Sequence, residues 1–96
     1  MLILNRRVGE GLIINNVYEL EVIEVNNGRV ELSLKKNGRL IKESLVAYYK
    51  GYTCVKIGND SLNILIAHTT NTIVRLGLEA PKSVKIARKE LVNKTF

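Results

Sequence analysis

VYELEVIEVNNGRVELSL, residues 17–34, returns in outline 44 residues later as SLNILIAHTTNTIVRLGL, residues 61–78. Each stretch has alternating apolar positions, a polar turn that contains asparagine, and a second alternating run. Alternation with a period of two is typical of strands with one buried face, so each stretch predicts a β-hairpin. The side chains expected in the core are Tyr18, Leu20, Val22, Val30, Leu32 and Leu34, then Leu62, Ile64, Ile66, Val74, Leu76 and Leu78.

The segments around these hairpins also have the pattern of short strands and turns. Asn27-Gly28 predicts a tight hairpin turn, because Asn-Gly readily adopts the positive φ angles that such turns require. Residues 44–50 are compatible with a short helix capped by Ser44, and equally with a strand. Further strands are predicted over residues 2–7, 12–14, 39–42 and 83–87, and a short helix over residues 88–94.

Composition predicts one small soluble domain that is not an enzyme. The 96 residues contain no linker-like stretch, so we expect a single domain over residues 1–96, with repeat one at 1–50 and repeat two at 51–96. One cysteine and one histidine provide neither a disulfide framework nor a metal-ligand set, and no cofactor is expected. No apolar run is long enough for a membrane span, which predicts a cytoplasmic protein without membrane contact.

Basic residues cluster near the two ends of the chain, outside the repeated hairpins. The net charge is +6 and the pI is about 9.7, which favours a polyanionic partner. Apolar residues alternate with these cations, so phosphates and unstacked bases could be bound together, as in single-stranded RNA recognition. Solvated charges on edge strands are the alternative interpretation. The residues concerned are Leu4, Arg6 and Arg7 in the first segment, and Lys82, Val84, Lys85, Ile86, Arg88 and Lys89 in the last.

Two motifs in these segments resemble a known family. MLILNRRVGEGLII at the start and VRLGLEAPKSVKIARKEL at residues 74–91 are similar to the carbon storage regulator family (CsrA/RsmA-like), small bacterial RNA-binding regulators of translation. Ordinary members are shorter and have far fewer residues between the Arg-Arg pair and the Ala-Pro pair. Here 72 residues separate Arg7 from Ala80, and the excess in this spacing is close to the 44-residue offset. The resemblance therefore implies an internally duplicated, fused-dimer variant of the family.

The resemblance implies a mostly-β fold of intertwined sheets, a barrel-like sandwich. The chain would be a single-chain pseudo-dimer of two five-stranded repeats with a short C-terminal helical segment. One RNA groove would lie between the first strand of repeat one and the last strand of repeat two. Its residues would be Leu4, Asn5, Arg6, Arg7, Ala80, Pro81, Lys82, Val84, Lys85, Ile86 and Arg88. Asn5 replaces the threonine and Ala87 the histidine that are common in the family.

The second groove of the pseudo-dimer would be impaired. Ser44 stands where the family's key arginine is expected, and Tyr48–Gly51 stand where a leucine and the Arg-Arg pair are expected. Lys36-Asn37 likewise replaces the Ala-Pro pair. The resemblance thus implies one intact RNA site in each chain.

By resemblance, the ligand is a GGA-containing hairpin loop in an mRNA leader, and binding represses translation by blocking ribosome access. A regulatory small RNA or a flagellar assembly factor is a further partner that the family implies. Two alternatives stay open. The chain could be a family member with a long insertion that still forms a homodimer with two sites. It could also be a protein-interaction module, or a decoy for family subunits, with weak or no RNA binding.

Overall fold

The computed structural model describes residues 1–92, which form nine β-strands and one short helix. The mostly-β prediction is confirmed, and every strand pair is antiparallel. In chain order the elements are β1 (Leu2–Arg7), β2 (Gly11–Ile14), β3 (Tyr18–Asn26), β4 (Arg29–Lys36), β5 (Arg39–Tyr48), β6 (Tyr52–Ile57), β7 (Asp60–Thr69), β8 (Ile73–Glu79), β9 (Ile86–Arg88) and α1 (Lys89–Val92).

Each of the two sheets contains strands from both halves of the chain. The first sheet has the order β1-β8-β7-β6, and the second has the order β5-β4-β3-β2-β9. β1 belongs to the first half of the chain but pairs with β8 of the second half, which places Leu4 opposite Leu76. In the opposite direction β9 pairs with β2, placing Arg88 opposite Leu12. Residues 1–50 and 51–92 consequently build both sheets together.

The core consists of the alternating side chains that the sequence predicts. All twelve are buried, with Tyr18 8% exposed and none of the others above 2%. They belong to a single hydrophobic cluster between the sheets. Burying one large aliphatic side chain contributes about 1.5–3 kcal/mol, so this cluster is the main source of stability.

The two hairpins repeat in backbone structure as well as in hydropathy. Their cross-strand partners correspond at the 44-residue offset, with Leu20 opposite Leu34 in one and Ile64 opposite Leu78 in the other. The ladder shifts register directly after Val22 in β3 and directly after Ile66 in β7, positions that also differ by 44. A bulge bends and twists its strand, so both hairpins curve around the core at corresponding points.

The Asn-Gly turns form as expected. Asn27 and Gly28 have φ angles of 47° and 84°, and they directly connect the paired residues Asn26 and Arg29. Asn37 and Gly38 have φ angles of 51° and 79° between β4 and β5. The second turn reverses the chain, so β5 returns along β4.

Three details of the predicted elements differ in the structure. The helix alternative for residues 44–50 is wrong, because β5 pairs with β4 as far as Tyr48. The last strand is shorter than the predicted 83–87, since a turn from Pro81 to Val84 precedes it. Within residues 1–92 the first repeat has five strands and the second has four. The helix begins at Lys89, and residues 93–94 of its predicted range lie outside the described residues.

Gly11 and Gly77 provide a matched test of packing between the strands. A Cβ at Gly11 would lie 2.6 Å from the backbone oxygen of Leu20, which the ladder holds in place. A Cβ at Gly77 would meet the flexible Met1 Sδ at 2.7 Å. We expect Gly11→Ala to lower the free energy of unfolding in urea by about 1–3 kcal/mol. Gly77→Ala should cost clearly less, and equal losses would contradict a rigid contact at β2.

Candidate nucleic-acid interface

An open groove lies where the edges of the two sheets meet, between β1 and β9. Its volume is about 250 Å³. Met1 and Leu2 line it from the start of the chain, and Ala80, Pro81, Lys82, Val84 and Ile86 line it from the end. Each of β1 and β9 is the last strand of its sheet, so within residues 1–92 its outer edge has no pairing strand. The groove thus combines apolar side chains with strand-edge backbone groups.

The connection between β8 and β9, residues 80–85, is held by hydrogen bonds. Within it, the Val84 amide donates to the Pro81 carbonyl at 3.0 Å. Asn15 forms a reciprocal pair with Lys85: its amide donates to the Lys85 carbonyl at 2.8 Å, and its side chain accepts from the Lys85 amide at 2.7 Å. The Ser83 hydroxyl donates to Asp60 at 3.3 Å. This connection is therefore a fixed wall of the groove.

Arg6 and Glu90 join β1 to α1. The guanidinium donates Nη1–H to Oε1 of Glu90 at 2.8 Å and Nη2–H to Oε2 at 3.1 Å, a bidentate ion pair. Nη1 also donates to the Gly11 carbonyl at 3.3 Å, and Nε donates to the Asn5 carbonyl at 2.7 Å. The hydrogen bond from Arg6 lowers the pKa of Glu90 to about 2, and the same bond raises the pKa of Arg6.

This geometry alters the expected role of Arg6. Its side chain is buried, with the whole residue 5% exposed, and all three guanidinium nitrogens donate to partners within the protein. Arg6 therefore positions β1 against α1 and does not extend into the groove. Sequence reasoning missed Glu90 and Asn15, because the partners Arg6 and Glu90 are 84 residues apart and no local motif connects them.

The other predicted cations lie at the end of β1, between Lys82 and Arg88, and in α1. Arg7, Lys82, Lys85 and Arg88 are exposed. Lys89 is committed to an ion pair with Glu19 at 2.7 Å, and this hydrogen bond raises its pKa. Of these four cations Lys82 lines the groove, together with the acidic Glu79. The other three lie on the flanking segments, where exposed positive charge favours a polyanion.

Of the apolar side chains expected in the site, Val84 and Ile86 line the groove. Leu4 and Ile86 are partly buried and pack against the core, and Val84 is buried. Asn5 is exposed, and its side-chain oxygen accepts a hydrogen bond from Arg75 Nε at 3.1 Å. Five of the eleven predicted residues line the groove: Ala80, Pro81, Lys82, Val84 and Ile86. Leu4, Asn5 and Arg7 lie further along β1, Lys85 and Arg88 lie next to or in β9, and Arg6 is buried.

Within residues 1–92, the segments expected to form the two walls of the second groove do not face each other. Lys42, Ser44 and Tyr48 all lie on one continuous strand, β5. They cannot face one another as the two walls of a groove, whereas β1 and β9 are separate strands. Tyr48 and Tyr49 are exposed, and the Lys50 ammonium lies 5.5 Å from the Tyr49 ring centre.

Residues 1–92 contain neither a metal-ligand cluster nor a membrane-spanning helix. No three histidine, cysteine, aspartate or glutamate residues of this part are placed to hold a metal ion. None of its helices has the length and apolar character that a bilayer crossing requires.

Comparison with known proteins identifies one family. Residues 53–95 match the model of CsrA, a global regulator protein family, and the match includes the groove residues from Ala80 to Arg88. The match supports a CsrA-like relationship, and members of that family are RNA-binding regulators of translation. Neither the curated proteins nor the solved structures contain a match to the chain. The resemblance of residues 1–14 lies outside the matched range.

The Arg6–Glu90 pair predicts an acid-dependent stability. The pKa of Glu90 is about 2 in the folded chain, against an ordinary 4.5, so its ion pair stabilises the fold above pH 4.5. This contribution is lost as pH falls from 4.5 towards 2. We expect Glu90→Gln to lower the urea unfolding free energy near neutral pH, with the difference from the native protein disappearing near the folded pKa.

The control is Glu43→Gln, which removes an exposed carboxylate on β5. This variant should unfold like the native protein across the same range of pH. If Glu90→Gln lowered the unfolding free energy by the same amount down to the lowest pH, the stabilisation by this pair would not be electrostatic.

Proposed function

We propose that this chain is a sequence-specific RNA-binding regulator that binds GGA-containing hairpin loops in mRNA leaders. Binding represses translation because the occupied leader excludes the ribosome, so the mechanism is steric and involves no covalent chemistry. The observation that carries the proposal is the groove between β1 and β9, with its apolar lining, Lys82 at its wall, and the exposed Arg7 and Arg88 on the two flanking strands. The family match over residues 53–95 supports it.

The groove suits single-stranded RNA better than a duplex. Bases in a hairpin loop are unstacked, so their faces can pack on Leu4 and Ile86 while their edges reach backbone groups of the strand edges. Arg7, Lys82 and Arg88 can bind the phosphates on either side. Helix α1 has only four described residues, which is too short to read a DNA major groove.

One chain supplies both walls of the site. β1 comes from the first half and β9 from the second, and Arg6 holds β1 against the end of β9 through Glu90. We infer that the chain works as a monomeric pseudo-dimer with a single RNA site in the cytoplasm. The lack of two facing strands around Lys42 and Tyr48 supports the loss of the second site.

Arg88 provides the direct test of the RNA site. It is exposed at the end of β9 and pairs with Leu12 through its backbone, so Arg88→Ala should keep the fold. We expect about tenfold weaker binding of a GGA hairpin RNA, and a salt dependence reduced by about one ion, because a phosphate contact is lost. Fluorescence anisotropy at several stated salt concentrations measures both.

Arg29→Ala is the matched control, since it removes the same side chain at the β3–β4 turn. It should bind RNA like the native protein. Solution mass and stoichiometry complete the test, with one RNA per monomer expected. A dimer with two RNAs would support the insertion alternative. Absence of RNA binding at modest salt would contradict the proposed function and favour an interaction module.

A further inference from the structure

The two sheets differ at one edge. In the second sheet β9 covers the outer edge of β2, which gives five strands. At the 44-residue offset β2 corresponds to residues 55–58, the end of β6 and its turn. β6 is the last strand of the first sheet, and within residues 1–92 no strand pairs with its outer edge.

A turn after β4 explains why the first sheet lacks a strand that corresponds to β9. Residues 81–88, which include β9, correspond to residues 37–44. The latter begin with the positive-φ pair Asn37-Gly38, which turns the chain back so that it pairs with β4 as part of β5. The segment that corresponds to β9 is therefore part of β5 in the second sheet. Within residues 1–92 the outer edge of β6 consequently has no pairing strand.

An apolar groove with a basic rim lies beside this edge. Its volume is about 420 Å³, and it runs between β6 and the β4–β5 hairpin. Leu34, Ile41 and Val55 provide apolar surface, and Lys36, Lys42 and Lys56 provide charge. None of the described residues that line it is acidic.

We propose that the outer edge of β6 binds an extended acidic segment of a partner protein as a fifth strand. Unpaired amides and carbonyls of an edge strand are a ready template for such addition. The segment would place apolar side chains in the groove at every second position and carboxylates against the three lysines. β9 shows this geometry within the same molecule, because it pairs with β2 while Ile86, and Val84 in the turn before it, pack against the core.

Charge determines the choice of occupant. A second copy of this chain would bring its own Lys56 to the edge and a net charge of +6, which opposes close pairing. An acidic strand neutralises the rim instead. This surface is distinct from the RNA groove, because the two share no lining residue: the β6 groove is lined from β3, β4, β5, β6 and the turn after β6.

The test uses a labelled peptide of about eight residues that alternates valine and glutamate, with a scrambled peptide in which the valines are adjacent. Binding is followed by fluorescence anisotropy, and amide chemical shifts locate the site. We expect shifts in β6 and around Ile41 and Lys42, and weaker binding of the scrambled peptide. Lys56→Glu should reduce affinity about threefold or more, because it reverses a charge at the rim.

Lys82→Glu makes the same change of charge in the RNA groove. It should weaken RNA binding and leave peptide binding unchanged. Lys56→Glu should weaken peptide binding and leave RNA binding unchanged, so each proposal can fail without the other. The β6 proposal is overturned if the peptide does not bind or shifts only residues of β1 and β9. Concentration-dependent dimers closed through β6, or displacement of the peptide by single-stranded RNA, also overturn it.

Discussion

The exchange of edge strands between the two halves is the constraint on which the rest of the structure depends. β1 pairs with β8 along its whole length, from Leu2 opposite Leu78 to Arg7 opposite Ile73. β9 completes the exchange by pairing with β2. Because backbone groups left unpaired inside a protein are costly, these ladders fix the relative position of the halves as firmly as the shared core does.

The candidate site follows directly from this exchange. β1 and β9 become edge strands of different sheets, and the packing of the sheets brings those edges together. The Arg6–Glu90 pair then fixes the distance between them at one end. A buried charge that loses its partner is strongly destabilising, so Arg6 constrains the site without touching a ligand. The position of the strands that carry the exposed cations thus depends on the buried Arg6.

Sequence reasoning reached the elements that are set by local pattern. Alternation identified the twelve core residues, and Asn27-Gly28 placed the first hairpin turn. It did not decide between helix and strand for residues 44–50, because only pairing with β4 makes them a strand. Nor did it place Arg6 in the interior, since Glu90 lies far away in the chain and hydropathy treats every arginine as exposed. The sequence therefore predicted local structure, but not which residues far apart in the chain contact each other.

The similar hairpins make the asymmetry of the edges informative. Matching pairs and matching bulges show that both halves give the same scaffold, so differences between the grooves arise from the segments that follow β4 and β8. After β8, Pro81 cannot donate a ladder hydrogen bond, and the chain crosses to β2. After β4, Asn37-Gly38 forms a tight turn, and the chain returns to its own sheet. Two short turns on one repeated scaffold therefore produce a two-walled groove on one side and an unpaired strand edge on the other.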